Sequence, residues 1–133
     1  MQPTTIKSKR TKRLFGWIGT ICLLLIIPIK AIRWVNLSTT VNIFIGIAPS
    51  ILGPVGLLFL ILSSSSPRLA RLTLFQTTLI TGAIALSLEF IQLIPRPGIL
   101  ERVHYTFDWL DIAATLLSIS VGFVVARFIS NNN

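Results

Sequence analysis

Four long apolar stretches dominate this chain, and nearly all of its charge lies at their ends. They cover residues 14–34, 43–62, 72–94 and 109–129. The hydrocarbon core of a bilayer is about 30 Å thick and is crossed by about 20 helical residues. Backbone N–H and C=O groups in lipid have no water to bond, so a segment crossing it must satisfy them internally, as a helix does. The expected fold is therefore an all-α integral membrane protein with four transmembrane helices. Composition agrees: 12% of the 133 residues are charged and 53% are hydrophobic, where a soluble domain carries about 25% charged residues.

The net charge of +8 does not point to nucleic acid, because no soluble surface is left to display it. Five of the twelve Lys/Arg fall between Lys7 and Arg13, ahead of the first apolar stretch. Such residues hold helix ends at the cytoplasmic surface and attract anionic lipid. The basic start followed by an apolar run also fits a signal peptide, but no small-residue cleavage site follows, so an uncleaved helix is expected. Residues 1–13 form a basic tail, 14–129 the transmembrane domain and 130–133 a polar tail. With the N-terminus inside, eight Lys/Arg lie on the cytoplasmic side and four (Lys30, Arg33, Arg96 and Arg102) outside. That asymmetry places both termini in the cytoplasm. Cys22, the single cysteine, excludes an intrachain disulfide and a thiolate metal site.

The second stretch contains Gly46, Pro49, Gly53, Pro54 and Gly56. A kink is expected near Pro49 to Pro54, with neighbouring helices satisfying the carbonyls that proline leaves unbonded. Pro95, Pro97 and Gly98 end the third stretch.

All four acids lie between Glu89 and Asp111. Glu89 sits six positions before Pro95, roughly 9 Å below the helix end at ~1.5 Å per residue. A carboxylate at that depth should face protein or a water-filled cavity and have a partner. Thr78, Gly82, Ala85, Glu89, Gln92 and Arg96 recur every three or four residues and share a helical face, as do Asp108, Asp111, Thr115, Ser118 and Gly122. Two small, polar stripes on consecutive antiparallel helices are expected to pack together. Their outer ends then line a shallow polar pocket of Glu89, Gln92, Arg96, Asp108 and Asp111, with Arg102 and His104 on the adjoining loop.

A structural account of the same residues also stands. Asp108 suits the N-cap of a helix starting at Trp109, and Glu89 can pair with Arg96 or Arg102 to hold two helices in register. No metal site or cofactor is implied. His104 has no partner at a ligand spacing, although oxygen-only binding of a hard cation by Glu89, Asp108 and Asp111 is chemically open. No catalytic triad or phosphate-binding glycine loop is present.

The run SLEFIQLIPRPGILERVHYTFDWLDIAATLLSISVG, residues 87–122, resembles the VanZ-like membrane proteins. Their C-terminal half reads E-x-x-Q, an Arg-containing connection, and D-x-x-D-x-x-x-N-x-x-G. Glu89 and Gln92 match the first pair, Arg96 or Arg102 the arginine, and Asp108 and Asp111 the acidic pair. Thr115 stands where Asn is common and Ser118 where Gly is common. The most specific part is FDWLDIAAT, residues 107–115. The resemblance implies a small multi-pass protein of the bacterial cytoplasmic membrane, in a family named for a member linked to low-level resistance to teicoplanin.

Three functions follow as readings. The first is a non-enzymatic envelope protein whose cluster of Glu89, Gln92, Arg96, Arg102, Asp108, Asp111 and Thr115 binds a lipid headgroup, wall precursor or glycopeptide. The second is a small transporter subunit. The third is a membrane enzyme acting on lipid-linked substrates, which requires a titratable group beside the scissile bond. The expected partners are the bilayer and such a ligand, and the glycine-rich helix faces are compatible with self-association.

Overall fold

The computed structural model describes residues 9–32, 39–91 and 109–132. Four helices account for almost all of them: α1 (Lys9–Ile32), α2 (Thr39–Ser63), α3 (Leu74–Ile91) and α4 (Trp109–Asn131). A single 3-10 turn, Leu69–Arg71, separates α2 from α3. No strand occurs among the described residues. Each of the four helices is long and apolar enough to cross a membrane. Their outer faces carry bare aromatic and aliphatic side chains, such as Phe44 at 71% and Trp109 at 74% exposure. An apolar surface of that extent is covered by lipid, not water. The chain is thus an all-α multi-pass membrane protein in contact with the bilayer.

Local chemistry sets the helix limits. α1 begins at Lys9, so Lys9 to Arg13 of the basic run are helical, with Thr11 buried. α3 begins two residues later than the apolar pattern suggests, because Thr73 caps it. The Gln76 N–H donates to Thr73 Oγ1 at 3.2 Å, and the Thr73 N–H donates to Gln76 Oε1 at 3.0 Å. This reciprocal box satisfies two backbone donors that the helix leaves open. α2 continues as helix through both Pro49 and Pro54. Several hydroxyls on the helices are satisfied within their own helix. Thr77, Thr78, Thr81, Ser87 and Ser120 each donate to the carbonyl four residues earlier, at 2.6–3.1 Å.

α2 is the hub, packing against α1, α3 and α4, while α3 also packs on α4. Phe15 of α1, Leu58, Phe59 and Leu62 of α2, Leu74 of α3 and Ala126 of α4 form one buried cluster. It joins the starts of α1 and α3 to the ends of α2 and α4, so all four helices meet at one end of the bundle. The Phe15 and Phe59 rings lie 5.3 Å apart within it.

α1 and α2 cross where two glycines meet. A Cβ on Gly19 would stand 2.8 Å from the Gly56 carbonyl oxygen and 2.9 Å from the Leu60 backbone nitrogen. Such backbone atoms cannot move aside cheaply, so these helices approach more closely than any side chain permits. Gly53 differs, with nothing within 4 Å of its Cβ position. Gly19→Val is expected to lose about 1–3 kcal/mol by overpacking, while Gly53→Ala is expected to be neutral. Thermal unfolding in detergent, followed by far-ultraviolet circular dichroism, separates the two. Equal melting of Gly19→Val and the parent chain would disprove the close crossing.

Candidate functional site

The polar stripe of α4 faces inward. Ala114, Thr115, Ser118, Ile119, Gly122 and Ala126 are buried, and Asp111 is half-buried one turn before Thr115. The expected stripe of Asp111, Thr115, Ser118 and Gly122 is therefore an interior face. On α3 the buried ridge is Thr77, Thr81, Ala85 and Glu89, with Thr78 and Gly82 half-buried beside it. The lower part of the stripe, Ala85 and Glu89, lies as the spacing indicates. Its upper part is shifted by one residue.

The two stripes do not simply face one another. α3 and α4 touch, with Ile119 Cδ1 3.6 Å from the Cβ position of Gly82. α4 presses harder on α2, where a Cβ on Gly122 would stand 3.0 Å from Leu58. The polar end of the α4 face accordingly meets α2 at Ser50.

Ser50 organises the cluster. Its hydroxyl donates to Asp111 Oδ1 at 3.1 Å. Its backbone carbonyl accepts from the Thr115 hydroxyl at 3.2 Å. That carbonyl is available because of Pro54. In a regular helix the N–H of residue 54 would bond the carbonyl of residue 50, and proline has no N–H. Thr115 thus supplies, from another helix, the donor that Pro54 lacks. Ser118 in turn donates to the Thr115 carbonyl at 2.9 Å.

Glu89 closes the cluster from α3. It is 8% exposed and lies within hydrogen-bonding reach of Ser50 and Thr115 and within electrostatic reach of Asp111. Three helices therefore bring two carboxylates, two hydroxyls and one proline-freed carbonyl together. Ser50 lies seven residues after Ile43, where the apolar stretch of α2 begins, about 10 Å along the axis at ~1.5 Å per residue. Two carboxylates this close repel unless a proton or a positive group is held between them. Chemically, such an arrangement of carboxylates and hydroxyls can accept a cation, an amine or a hydroxyl-bearing group. Among the described residues, no three His, Cys, Asp or Glu side chains gather in the manner of a metal centre.

Of the residues singled out from sequence, Glu89, Asp111 and Thr115 come together. Gln92, Arg96, Arg102, His104 and Asp108 lie outside the described residues, as therefore does most of the expected pocket lining. Ser50 was missed. It is the one hydroxyl between positions 43 and 62 and stands four residues before a proline. Those two facts together were its signal.

Compared with known proteins, the chain matches no family model, no curated protein and no solved structure.

If Thr115 replaces the donor that Pro54 removes, the two positions are energetically coupled. Thr115→Val alone should cost about 1 kcal/mol, within the range of interhelical hydrogen bonds in membranes. In a Pro54→Ala background, where residue 54 again has an N–H for Ser50, the cost should shrink toward zero. A double-mutant cycle on unfolding free energies in mixed micelles checks this. Additive effects would show that the Thr115 to Ser50 bond has no connection with the proline.

Proposed function

We propose that the chain is a VanZ-like, non-enzymatic protein of the bacterial cytoplasmic membrane with both termini in the cytoplasm. Its Ser50, Glu89, Asp111 and Thr115 cluster binds a polar group at the outer surface of that membrane. The ligand is a lipid headgroup, a wall precursor or a glycopeptide antibiotic. The observation that carries this reading is the convergence of Glu89 from α3 and Asp111 from α4 on Ser50 of α2. A tie between helices needs only neutral hydrogen-bonding groups. Carboxylates within a membrane-spanning segment are costly and mark functional sites as a rule. A pair of them selects for a ligand that brings positive charge or several hydroxyls. The depth of about 10 Å below the end of the apolar stretch suits a group that dips inward from the headgroup layer.

The orientation rests on charge. Seven of the eight described Lys/Arg lie at the bundle end away from the cluster, with Lys30 the exception. The side richer in Lys and Arg is retained in the cytoplasm, which turns the cluster outward.

Glu89→Gln and Asp111→Asn are expected to leave membrane insertion and abundance intact while abolishing an envelope phenotype of the parent gene. Loss of both variants from the membrane would mean that the cluster is structural. Orientation has its own check. Single cysteines at positions 36, 65 and 100, placed in a Cys22→Ala background, are expected to react with an impermeant maleimide in intact cells at 36 and 100 but not at 65. Protection of position 100 would turn the site toward the cytoplasm.

The transporter reading has one observation in its favour. Half-helix carbonyls beside carboxylates coordinate ions in many secondary transporters, and the Ser50 carbonyl is freed beside two of them. Ion uptake into proteoliposomes with and without the protein decides it, and no flux under any gradient removes it.

A further inference from the structure

The end of the bundle opposite the acidic cluster carries a second feature. Lys9, Arg10, Lys12 and Arg13 lie in the first turns of α1, Arg68 precedes the 3-10 turn and Arg71 ends it, and Arg127 lies near the end of α4. The fold gathers them. Phe15, Leu62, Leu74 and Ala126 belong to one buried cluster, and each stands within a few residues of one of these cations. Ser63, at the end of α2, is 3.5 Å from the Cβ position of Gly16, which brings the start of α1 beside the connection bearing Arg68 and Arg71. All seven are exposed except Lys12, which is half-buried. Neither described acid, Glu89 nor Asp111, lies at this end. The cations therefore lack a protein counter-charge among the described residues.

The 3-10 turn gives the patch a defined geometry. Its backbone is closed by the Leu72 N–H donating to the Leu69 carbonyl at 3.1 Å. With three residues per turn, side chains three positions apart eclipse one another. Arg68 and Arg71 therefore project together, with exposed Leu69 beside them at 38% exposure. Two arginines three positions apart on a hydrogen-bonded 3-10 turn, next to an aliphatic side chain, suit a phosphodiester that sits above an acyl chain. Guanidinium groups bind phosphate through paired N–H donors, where an ammonium acts as a point charge.

We propose that Arg68 and Arg71 form a headgroup site for an anionic phospholipid, with Lys12, Arg13 and Arg127 as its electrostatic surround. The occupant is a membrane lipid because the turn connects two membrane-spanning helices, which places it at the lipid phosphate layer. The site is separate from the acidic cluster and does not depend on the function assigned there.

The test uses the full chain, purified in a mild detergent and examined by native mass spectrometry with added phosphatidylglycerol or phosphatidylcholine. The protein is expected to retain phosphatidylglycerol and not phosphatidylcholine. Arg68→Gln with Arg71→Gln should weaken that retention about tenfold or more, as each basic residue near an anionic surface contributes a few-fold. Arg68→Lys with Arg71→Lys should recover only part of it, since charge is kept and the paired donors are lost. Lys30→Gln, at the other end of the bundle, should have no effect. Should the double glutamine variant fail to fold, Lys12→Gln with Arg13→Gln tests the surround and should give a smaller loss. Equal retention of the two lipids, or undiminished phosphatidylglycerol binding by the double glutamine variant, overturns the proposal. Displacement of phosphatidylglycerol by millimolar inorganic phosphate also overturns it, and assigns the arginines to free phosphate.

Discussion

A proline in a membrane helix leaves one carbonyl without its donor, and lipid cannot supply another. At Pro54 that carbonyl belongs to Ser50, and the missing donor is the N–H that Pro54 does not have. Thr115 supplies the replacement from α4 at 3.2 Å. The same residue, Ser50, offers its hydroxyl to Asp111 and stands within reach of Glu89. The backbone requirement of α2 thus fixes where α4 must sit, and α4 brings the carboxylate that defines the site. Without the proline, α2 would be a self-sufficient helix with no need for a polar neighbour at this level.

The remaining packing supports that arrangement by bringing backbones close together. Gly19 and Gly56 let α1 lie against α2, and Gly122 lets α4 do the same on another side, 3.0 Å from Leu58 at its Cβ position. In lipid there is no hydrophobic gain from helix association, so close contact and interhelical hydrogen bonds carry it. The buried aromatic and aliphatic residues cluster at one end of the bundle, and the carboxylates lie toward the other. One end is held by close packing and the other by polar contacts. A ligand that competes for hydrogen bonds can act only at the second.

Much of the fold was legible because bilayer thickness constrains it so tightly. The stretch 109–129 is found as Trp109–Asn131, and 43–62 lies within Thr39–Ser63. Where the limits moved, a specific contact moved them, as the Thr73–Gln76 box does for α3. The α4 stripe was legible because Asp111, Thr115, Ser118 and Gly122 repeat at helical spacing. Its partner was less so. Periodicity says which face of a helix is polar, but not which of three neighbours that face will meet. The stripes on α3 and α4 suggested each other, whereas α2 carries no stripe, only one serine in an apolar run. Its role depends on the i to i−4 relation to Pro54. That relation is visible in sequence but acquires meaning only when a donor from elsewhere in the fold is known to be in range.

The separation of charge along the bundle ties the two ends together. The described acids and nearly all the described bases lie at opposite ends, too far apart to form ion pairs with one another. The distance from the Leu62 level to Ser50 is about 18 Å along α2, well beyond ion-pair range. Each end must therefore find its counter-charge locally. At the basic end, anionic lipid is available at the membrane surface. At the acidic end, Lys30, the adjoining connection, a proton or a bound group can supply it. Binding and release by this cluster, as proposed, requires that part of its counter-charge be exchangeable, whereas a permanent tie between helices does not.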